Sequence, residues 1–327
     1  MEYLKILLVF AFSFLLSLLA LPLVISLAKR LKAGQPILKY VDQHKDKVGT
    51  PTMGGLGFII PCQVVALLFA SDGLSKGRIA AIATLCYAFL GFLDDFLKIR
   101  RKDNGGLTPF QKILGQVGIA AVLSYYCYKT STAFNVNIPF TSISVNFGWG
   151  IIPFALFVFI AVTNAVNLTD GLDGLAGNTS VVYFLFFGLI LFASWKFGKI
   201  DDSLLIFSLA ILGGLLAFLI FNSRPAKVFM GDTGSLALGG AVASVGMFSG
   251  NSLIIPIIGI MFVVSCISVI IQVIVFKITK KRVFKMAPFH HHLEKCGYSE
   301  PRIVAIYVAI TALMGSLGLF AVIIGLV

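Results

Sequence analysis

The stretch YLKILLVFAFSFLLSLLALPLVISLA at residues 3–28 decides the class of fold. It is about as long as a helix that crosses the hydrocarbon core of a bilayer, and it exceeds the apolar core of a typical signal peptide. Because its apolar length suits a bilayer span better than a signal peptide, we predict that this segment is a retained transmembrane helix.

The rest of the chain has the same character. Its 327 residues are 58% hydrophobic and only 12% charged, and the mean hydropathy of +0.97 excludes a water-soluble globular domain. The net charge of +12 could suggest nucleic acid as a partner, but Lys and Arg lie in short clusters between apolar runs, so we expect no nucleic-acid binding. The five scattered cysteines argue against a disulfide framework.

Apolar segments of bilayer-spanning length recur along the chain. We therefore predict an all-α polytopic membrane protein with about ten transmembrane helices, and a single domain over residues 1–327 because no repeat or linker interrupts it. The eighth segment is rich in Gly, Ala and Ser, which favours close helix packing. The predicted helices are centred near Leu15, Val64, Tyr87, Ala120, Phe157, Phe186, Leu212, Ala243, Val264 and Leu313.

Charge predicts the orientation of these helices. Most of the 26 Lys and Arg residues fall in alternate loops on one side, which should be cytoplasmic, so both termini are predicted to lie outside. Alternating apolar residues at 134–147 predict a short β-hairpin on the outer side. All four histidines and most of the acids fall on the inner side, which indicates an active site in the cytoplasmic loops; the exceptions are Glu2, Asp72, Asp201 and Asp202.

Two adjacent acids, Asp94 and Asp95, follow an apolar run in LGFLDDFLK at residues 90–98. They could form a solvated helix end in which Asp95 pairs with Lys98. The alternative is a site for Mg²⁺ or phosphate, which we favour because acids at a membrane boundary are usually functional.

A second acidic motif, NAVNLTDGLDGLAG at residues 164–177, places Asn167, Asp170 and Asp173 three positions apart. On a helical turn they would share a face, whereas a polar loop with turn glycines is the simpler interpretation. The polar residues at the end of a predicted span favour function.

A third motif, NSRPAKVFMGDTGS at residues 222–235, brackets Asp232 with glycines before the next predicted span. A hard cation could bind Asp232. Phe229 could stack on a nucleobase or be an ordinary interfacial aromatic. The chain contains neither a Walker motif nor a dinucleotide-binding motif.

Two further segments carry candidate phosphate or sugar contacts. His290, His291 and His292 are consecutive, without the helical spacing of zinc ligands, so phosphate or sugar recognition is favoured over zinc. Lys47 precedes the glycine-rich GTPTMGG at residues 49–55, which could cradle an anion or simply begin a helix with Thr52 as its cap.

Taken together, these motifs resemble the polyprenyl-phosphate N-acetylhexosamine 1-phosphate transferases over residues 34–302. The Pro-x-His-His-His-x-Glu and Thr-Pro-Thr-Met-Gly-Gly segments are more similar to the muramoyl branch, which makes lipid I, than to the N-acetylglucosamine branch. The matching segments are GQPI at 34–37, KVGTPTMGG at 47–55, the Asp94-Asp95 pair with Lys98, residues 167–177, GDTGS at 231–235 and APFHHHLE at 287–294.

The resemblance implies a Mg²⁺-dependent transferase of the bacterial cytoplasmic membrane, with ten helices and outward termini. Its substrates would be UDP-MurNAc-pentapeptide and undecaprenyl phosphate, and its products lipid I and UMP. Asp232 would bind Mg²⁺. The implied catalytic residues are Asp94, Asp95, Asp170, Asp232 and His291. The implied substrate-binding residues are Lys47, Thr52, Lys98, Lys112, Asn167, Asp173, Phe229, Gln272, His290 and His292.

Several alternatives stay open at this point. Asp94 or Asp95 is hypothesised to orient or deprotonate the carrier phosphate, and Lys98 and Lys112 to attract it. UDP-N-acetylglucosamine could replace the muramoyl donor. A transporter would instead place charges along a pathway through the bilayer. The sequence does not decide the oligomeric state, for which a homodimer is one option, and membrane lipids surround the protein in any case.

Overall fold

The computed structural model describes residues 2–31, 49–70, 73–101, 105–130 and 135–326. Within these ranges the chain is mainly helical, with one small sheet. The helices are α1 Glu2–Arg30, α2 Leu56–Phe69, α3 Lys76–Arg101, α4 Pro109–Lys129, α5 Ile151–Thr169, α6 Leu175–Lys196, α7 Ser203–Asn222, α8 Gly231–Phe248, α9 Ile255–Ile258, α10 Ile260–Thr279, α11 Phe289–Lys295 and α12 Glu300–Leu326; the strands are β1 Asn135–Asn137 and β2 Ser144–Asn146.

Each of the ten predicted helix centres lies in a separate helix of at least 14 residues. Seven of the described helices are long and apolar enough to cross a membrane, which confirms a helical membrane protein. The remaining three predicted spans correspond to α2, which is short, and to α4 and α8, which are less apolar. The span count of ten therefore stays a prediction. The seven candidates are Glu2–Arg30, Lys76–Arg101, Gly148–Thr169, Leu175–Lys196, Ser203–Asn222, Ile260–Thr279 and Glu300–Leu326.

Helix α8 lies at the centre of the packing, and every residue from its third position to its end is buried. Small side chains allow this, because they let neighbouring helices approach closely. A Cβ atom at Gly239 would lie 2.6 Å from Cα of Thr163 in α5, and one at Gly240 would collide with the Tyr87 ring of α3. The expectation of close packing around the eighth segment is thus confirmed.

The predicted hairpin segment forms a two-stranded antiparallel sheet in which Val136 pairs with Val145. Its backbone is tied to the helices, because the N–H of Asn137 donates to Gly250 at 2.9 Å and that of Phe140 donates to Ala321 at 3.1 Å. Phe134, the first residue of the predicted alternation, lies outside the described residues. The side of the membrane on which this sheet lies stays a prediction.

Four helix ends converge at the opposite end from the sheet: the last turns of α3 and α5 and the first turns of α4 and α8. The start of α4 is fixed by a capping box, in which Thr108 and Gln111 exchange side-chain and backbone hydrogen bonds. Helix α8 begins at Gly231, whose φ of 72° is readily adopted by glycine. These helix ends bring the first and third acidic motifs together.

Candidate active site

The start of α8 is held by a carboxylate from α3. The backbone N–H groups of Asp232 and Thr233 donate to Oδ1 and Oδ2 of Asp95, at 3.2 and 2.9 Å, and the Thr233 hydroxyl donates to Oδ2 at 2.7 Å. Asp95 therefore satisfies N–H groups that a helix leaves unpaired in its first turn. Gly91, one turn earlier on α3, lies so close to the Asp232 carbonyl that a Cβ atom there would collide with it.

The Asp232 side chain receives donors from three other helices. Nζ of Lys98 on α3 lies 2.5 Å from Oδ2, and Nζ of Lys112 on α4 lies 3.0 Å from Oδ1. The Asn167 amide on α5 donates to Oδ1 at 2.5 Å and to the Ser235 hydroxyl at 2.8 Å. Two cations and one amide thus fix a single carboxylate at the junction of four helices.

Asp94, which precedes Asp95 in the sequence, shares Lys98 with Asp232. Its Oδ2 lies 2.6 Å from Nζ of Lys98, and its Oδ1 accepts a hydrogen bond from the N–H of Leu107 at 2.7 Å. Both Asp94 and Asp95 are at most 3% exposed, so the interpretation of a solvated helix end is wrong. The Asp95–Lys98 pair of that alternative interpretation is also not formed: Lys98 pairs with Asp94, because residues four apart are neighbours on a helix and Asp95 points to α8.

The three carboxylates could hold a cation. One oxygen from each of Asp94, Asp95 and Asp232 lies within 4.8 Å of the others. Carboxylate oxygens are the ligands that Mg²⁺ prefers, and Asp232 is the most accessible of the three. The donor set therefore fits Mg²⁺, with Asp232 as the ligand that a cation can reach.

The second acidic motif lies directly beside this cluster. Asp170 ends α5, and its burial, together with the carboxylates of Asp232, Asp95 and Asp173, raises its pKa to about 8. Oδ2 of Asp173 accepts a hydrogen bond from the N–H of Ala226 at 3.1 Å, which ties this motif to the segment between α7 and α8. Asn167 contacts Asp232, whereas Asp173 contacts the segment after α7, so these two residues of the motif have different partners.

The histidine segment forms the short helix α11 and borders the second acidic motif. His290 is buried, and its ring lies against Gly171, where a Cβ atom would collide with the imidazole. Nδ1 of His291 lies 2.6 Å from Oε2 of Glu294. Nδ1 of His292 accepts a hydrogen bond from the N–H of Lys285 at 3.2 Å. Of the three histidines, the structure places His290 next to the acidic motif.

Gln272 on α10 has a role in the structure that its sequence context did not reveal. Its Oε1 accepts hydrogen bonds from the N–H groups of Val283 and Phe284, at 3.2 and 2.9 Å. These bonds hold the basic segment that precedes α11. Any contact of Gln272 with a nucleobase stays a prediction.

Thr52 and Phe229 lie on two segments that pair through their backbones. The N–H of Phe229 donates to Pro51 at 2.8 Å, and the Phe229 carbonyl accepts from Gly54 at 2.8 Å. Thr52 is buried against Gly231, and a Cβ atom at position 231 would lie 2.8 Å from the Thr52 hydroxyl. Lys47, five residues before Thr52, lies outside the described residues.

Three residues of this site were not identified as functional from the sequence. Thr233 and Ser235 lie within the third motif but carry no charge, and Gly91 is one of 32 glycines. The sequence offered one indication of a role for Thr233 and Ser235, which is that both lie within three positions of Asp232. The contacts that give Thr233 and Ser235 their roles come from α3 and α5, and the close contact of Gly91 comes from α8.

The chain is similar to known proteins over most of its length. The family model described as "Glycosyl transferase family 4" matches residues 78–250, which include the three acidic motifs. A protein of Clostridium perfringens named "Phospho-N-acetylmuramoyl-pentapeptide-transferase" is 46% identical over 308 residues, covering 94% of this chain and 95% of the relative. Relatives with the same name from Geobacillus sp. and Bacillus mycoides are both 43% identical, and each comparison covers 94% of this chain and 95% of the relative.

Proposed function

Because the chain belongs to the phospho-N-acetylmuramoyl-pentapeptide transferases of glycosyl transferase family 4, we propose that it makes lipid I. In this reaction phospho-MurNAc-pentapeptide passes from UDP-MurNAc-pentapeptide to undecaprenyl phosphate, and UMP is released. This is the first membrane step of peptidoglycan synthesis. The observation that carries the proposal is the convergence of Lys98, Lys112 and Asn167 on Asp232.

The reaction brings two anions together, so the protein must reduce their repulsion before the carrier phosphate can attack the sugar-linked phosphorus. Lys98 and Lys112 provide two positive charges within 3.0 Å of Asp232. Fixed charges of this kind act strongly where the surrounding protein excludes water. We assign both lysines to the phosphates of the two substrates.

Mg²⁺ is the cofactor we propose, held by Asp232 within the cluster that includes Asp94 and Asp95. When bound, it neutralises the diphosphate and stabilises the phosphate that leaves with UMP. Asn167 donates to the same carboxylate at 2.5 Å and so fixes its orientation. The ligand oxygens are then held in place before the substrate arrives.

The two adjacent acids receive different roles. Both oxygens of Asp95 accept hydrogen bonds from α8, so we assign Asp95 to positioning Asp232. Asp94 contacts Lys98 directly at 2.6 Å, so we assign it to orienting this ammonium group toward the carrier phosphate. Positioning should contribute more than proton removal, because a phosphate monoester already loses most of its second proton near neutral pH.

The nucleotide-sugar is proposed to lie between the second acidic motif and α11. Asp170, Asp173, His290, His291 and His292 would contact its sugar and phosphates, and Phe229 its uracil ring. Lys47, Thr52 and Gln272 are further proposed binding residues. His290 packs against Gly171, so the two segments already form one wall. We place this wall on the cytoplasmic side of the bacterial inner membrane, because the basic loops lie on the same side.

The decisive assay offers purified protein two donors. With undecaprenyl phosphate and Mg²⁺, UMP should be released from UDP-MurNAc-pentapeptide, and omission of either component should abolish release. Release from UDP-N-acetylglucosamine instead would assign the chain to the other branch of donors. Accumulation of a nucleotide-sugar in sealed vesicles without UMP formation would support a transporter and overturn the proposal.

A further inference from the structure

A cavity of about 640 Å³ lies between the end of α1, the residues after Gly49 and the segment that follows α7. Its lining combines an apolar wall with two basic side chains. The wall includes Pro22, Ile25 and Phe221, and the basic side chains are Lys29 and Lys227. A cavity of this kind suits a ligand that has both a hydrocarbon part and an anionic part.

The two lysines are free of acidic partners among the described residues. Lys29 belongs to the last turn of α1 and Lys227 to the segment between α7 and α8, and both are exposed. The ion pairs of the described acids involve other cations, so none of these acids neutralises Lys29 or Lys227. The cavity therefore has a net positive lining.

The cavity lies at the end of two candidate membrane spans. Helices α1 and α7 both belong to the set long and apolar enough to cross a bilayer, and both end beside it. On α1, Leu15 and Leu19 are 51% and 69% exposed and lie seven and three positions before Pro22, so they share its helix face and continue the apolar surface from the cavity toward the middle of the helix. The ends of spanning helices lie where lipid head groups meet hydrocarbon chains, so we expect the cavity at this depth.

We propose that this cavity binds an anionic glycerophospholipid, with its phosphate between Lys29 and Lys227 and its acyl chains along Leu15 and Leu19. A zwitterionic lipid carries no net charge and would lose the electrostatic part of the binding. The binding does not depend on the proposed transferase activity, because the lipid is a ligand and not a reactant.

Bound lipid would stabilise segments that reach the candidate active site. Pro51 lines the cavity, and its carbonyl accepts the N–H of Phe229 at 2.8 Å. Ala226 also lines the cavity, and its N–H donates to Asp173 at 3.1 Å. The lipid site and the proposed nucleotide-sugar site thus share two backbone connections.

The test measures lipid retention by native mass spectrometry. The full-length protein is released from nanodiscs that contain equal amounts of phosphatidylglycerol and phosphatidylcholine. The unsubstituted protein should retain phosphatidylglycerol preferentially. The double variant K29Q/K227Q should lose this preference by about tenfold, because each lysine near an anionic head group contributes to its binding. The matched variant K280Q/K281Q removes two exposed lysines elsewhere and should behave like the unsubstituted protein.

A second variant keeps both lysines and reduces the volume of the cavity. Ser26 lines the cavity and is exposed, so Ser26→Trp should occupy part of it and reduce retention of both lipids without altering Lys29 or Lys227. Ser26→Trp tests the proposal independently if the double variant does not fold. Retention of phosphatidylglycerol unchanged in K29Q/K227Q or in Ser26→Trp would overturn the proposal. Displacement of phosphatidylglycerol by inorganic phosphate alone would also overturn the proposal, because it would indicate a simple anion site. One-for-one displacement by undecaprenyl phosphate would overturn it as well, because it would indicate a site for the carrier.

Discussion

Asp95 on α3 accepts two hydrogen bonds from Thr233 on α8, one from its backbone N–H at 2.9 Å and one from its hydroxyl at 2.7 Å. The carboxylate is 3% exposed, so these bonds are not exchanged readily for bonds to water. They join the two helices that contribute the first and third acidic motifs. The position of Asp232 therefore depends on a residue that is itself not expected to react.

Replacing Thr233 by Val should lower both thermal stability and turnover. The variant keeps the shape of the side chain but removes one of the two hydrogen-bond donors to Oδ2 of the buried Asp95 carboxylate, which costs about 1 to 3 kcal/mol. Thr233→Ser retains the hydroxyl and should recover most of both properties. Thermal unfolding in detergent and UMP release measure the two effects. Equal behaviour of the Val and Ser variants would show that the hydroxyl does not position Asp95.

Gly91→Ala should be strongly destabilising, because the added methyl group would collide with the Asp232 carbonyl and force α3 and α8 apart. Gly118→Ala is the matched control, since nothing lies within 4 Å of a Cβ atom there. We expect a lower unfolding temperature and little activity for the first variant alone. An active, stable Gly91→Ala protein would contradict the close approach of the two helices.

Lys112→Gln should reduce turnover about a hundredfold if the ammonium group stabilises charge during phosphate transfer. Lys129→Gln removes a lysine from the other end of the same helix and should leave turnover unchanged. Steady-state UMP release at saturating Mg²⁺ compares the two variants. An equal, small effect of both substitutions would remove Lys112 from the reaction centre.

Asp170→Asn should change how stability depends on pH. The pKa of Asp170 is raised to about 8 in the folded protein, from an ordinary value of 3.8, so between these values the folded state binds more protons than the unfolded state. Its contribution to stability therefore falls as pH rises through this window. The Asn variant cannot titrate, so its unfolding temperature should fall less between pH 5 and pH 8 when a chelator removes divalent cations. Identical pH profiles would contradict the raised pKa.

Much of the fold could be predicted from segment length and hydropathy. Each predicted centre lies in its own helix, and the small residues around Ala243 correctly indicated close packing even where hydropathy was modest. The boundary between spanning and shorter helices was less predictable. Helix α2 has only 14 residues, because its apolar run begins after the glycine-rich turn at Gly55.

The candidate site was predictable as a set of motifs but not as a set of contacts. Asp94 and Asp95 are adjacent in sequence, yet successive helix positions point in different directions, so one contacts Lys98 and the other contacts α8. The ion pair between Lys112 and Asp232 joins α4 to α8 and depends on how these helices pack. Such a pairing is set by tertiary structure, which neither motif encodes locally.

Lys98, Lys112 and Asn167 converge on Asp232, and we propose that the reaction is organised around this carboxylate. Turnover of the Asp232→Asn variant tests it most directly, measured as UMP released from UDP-MurNAc-pentapeptide in the presence of undecaprenyl phosphate and Mg²⁺. Asn has the same shape but no negative charge, so turnover should fall about a hundredfold or more while the folded protein persists. Turnover close to that of the unsubstituted protein would contradict this role of Asp232.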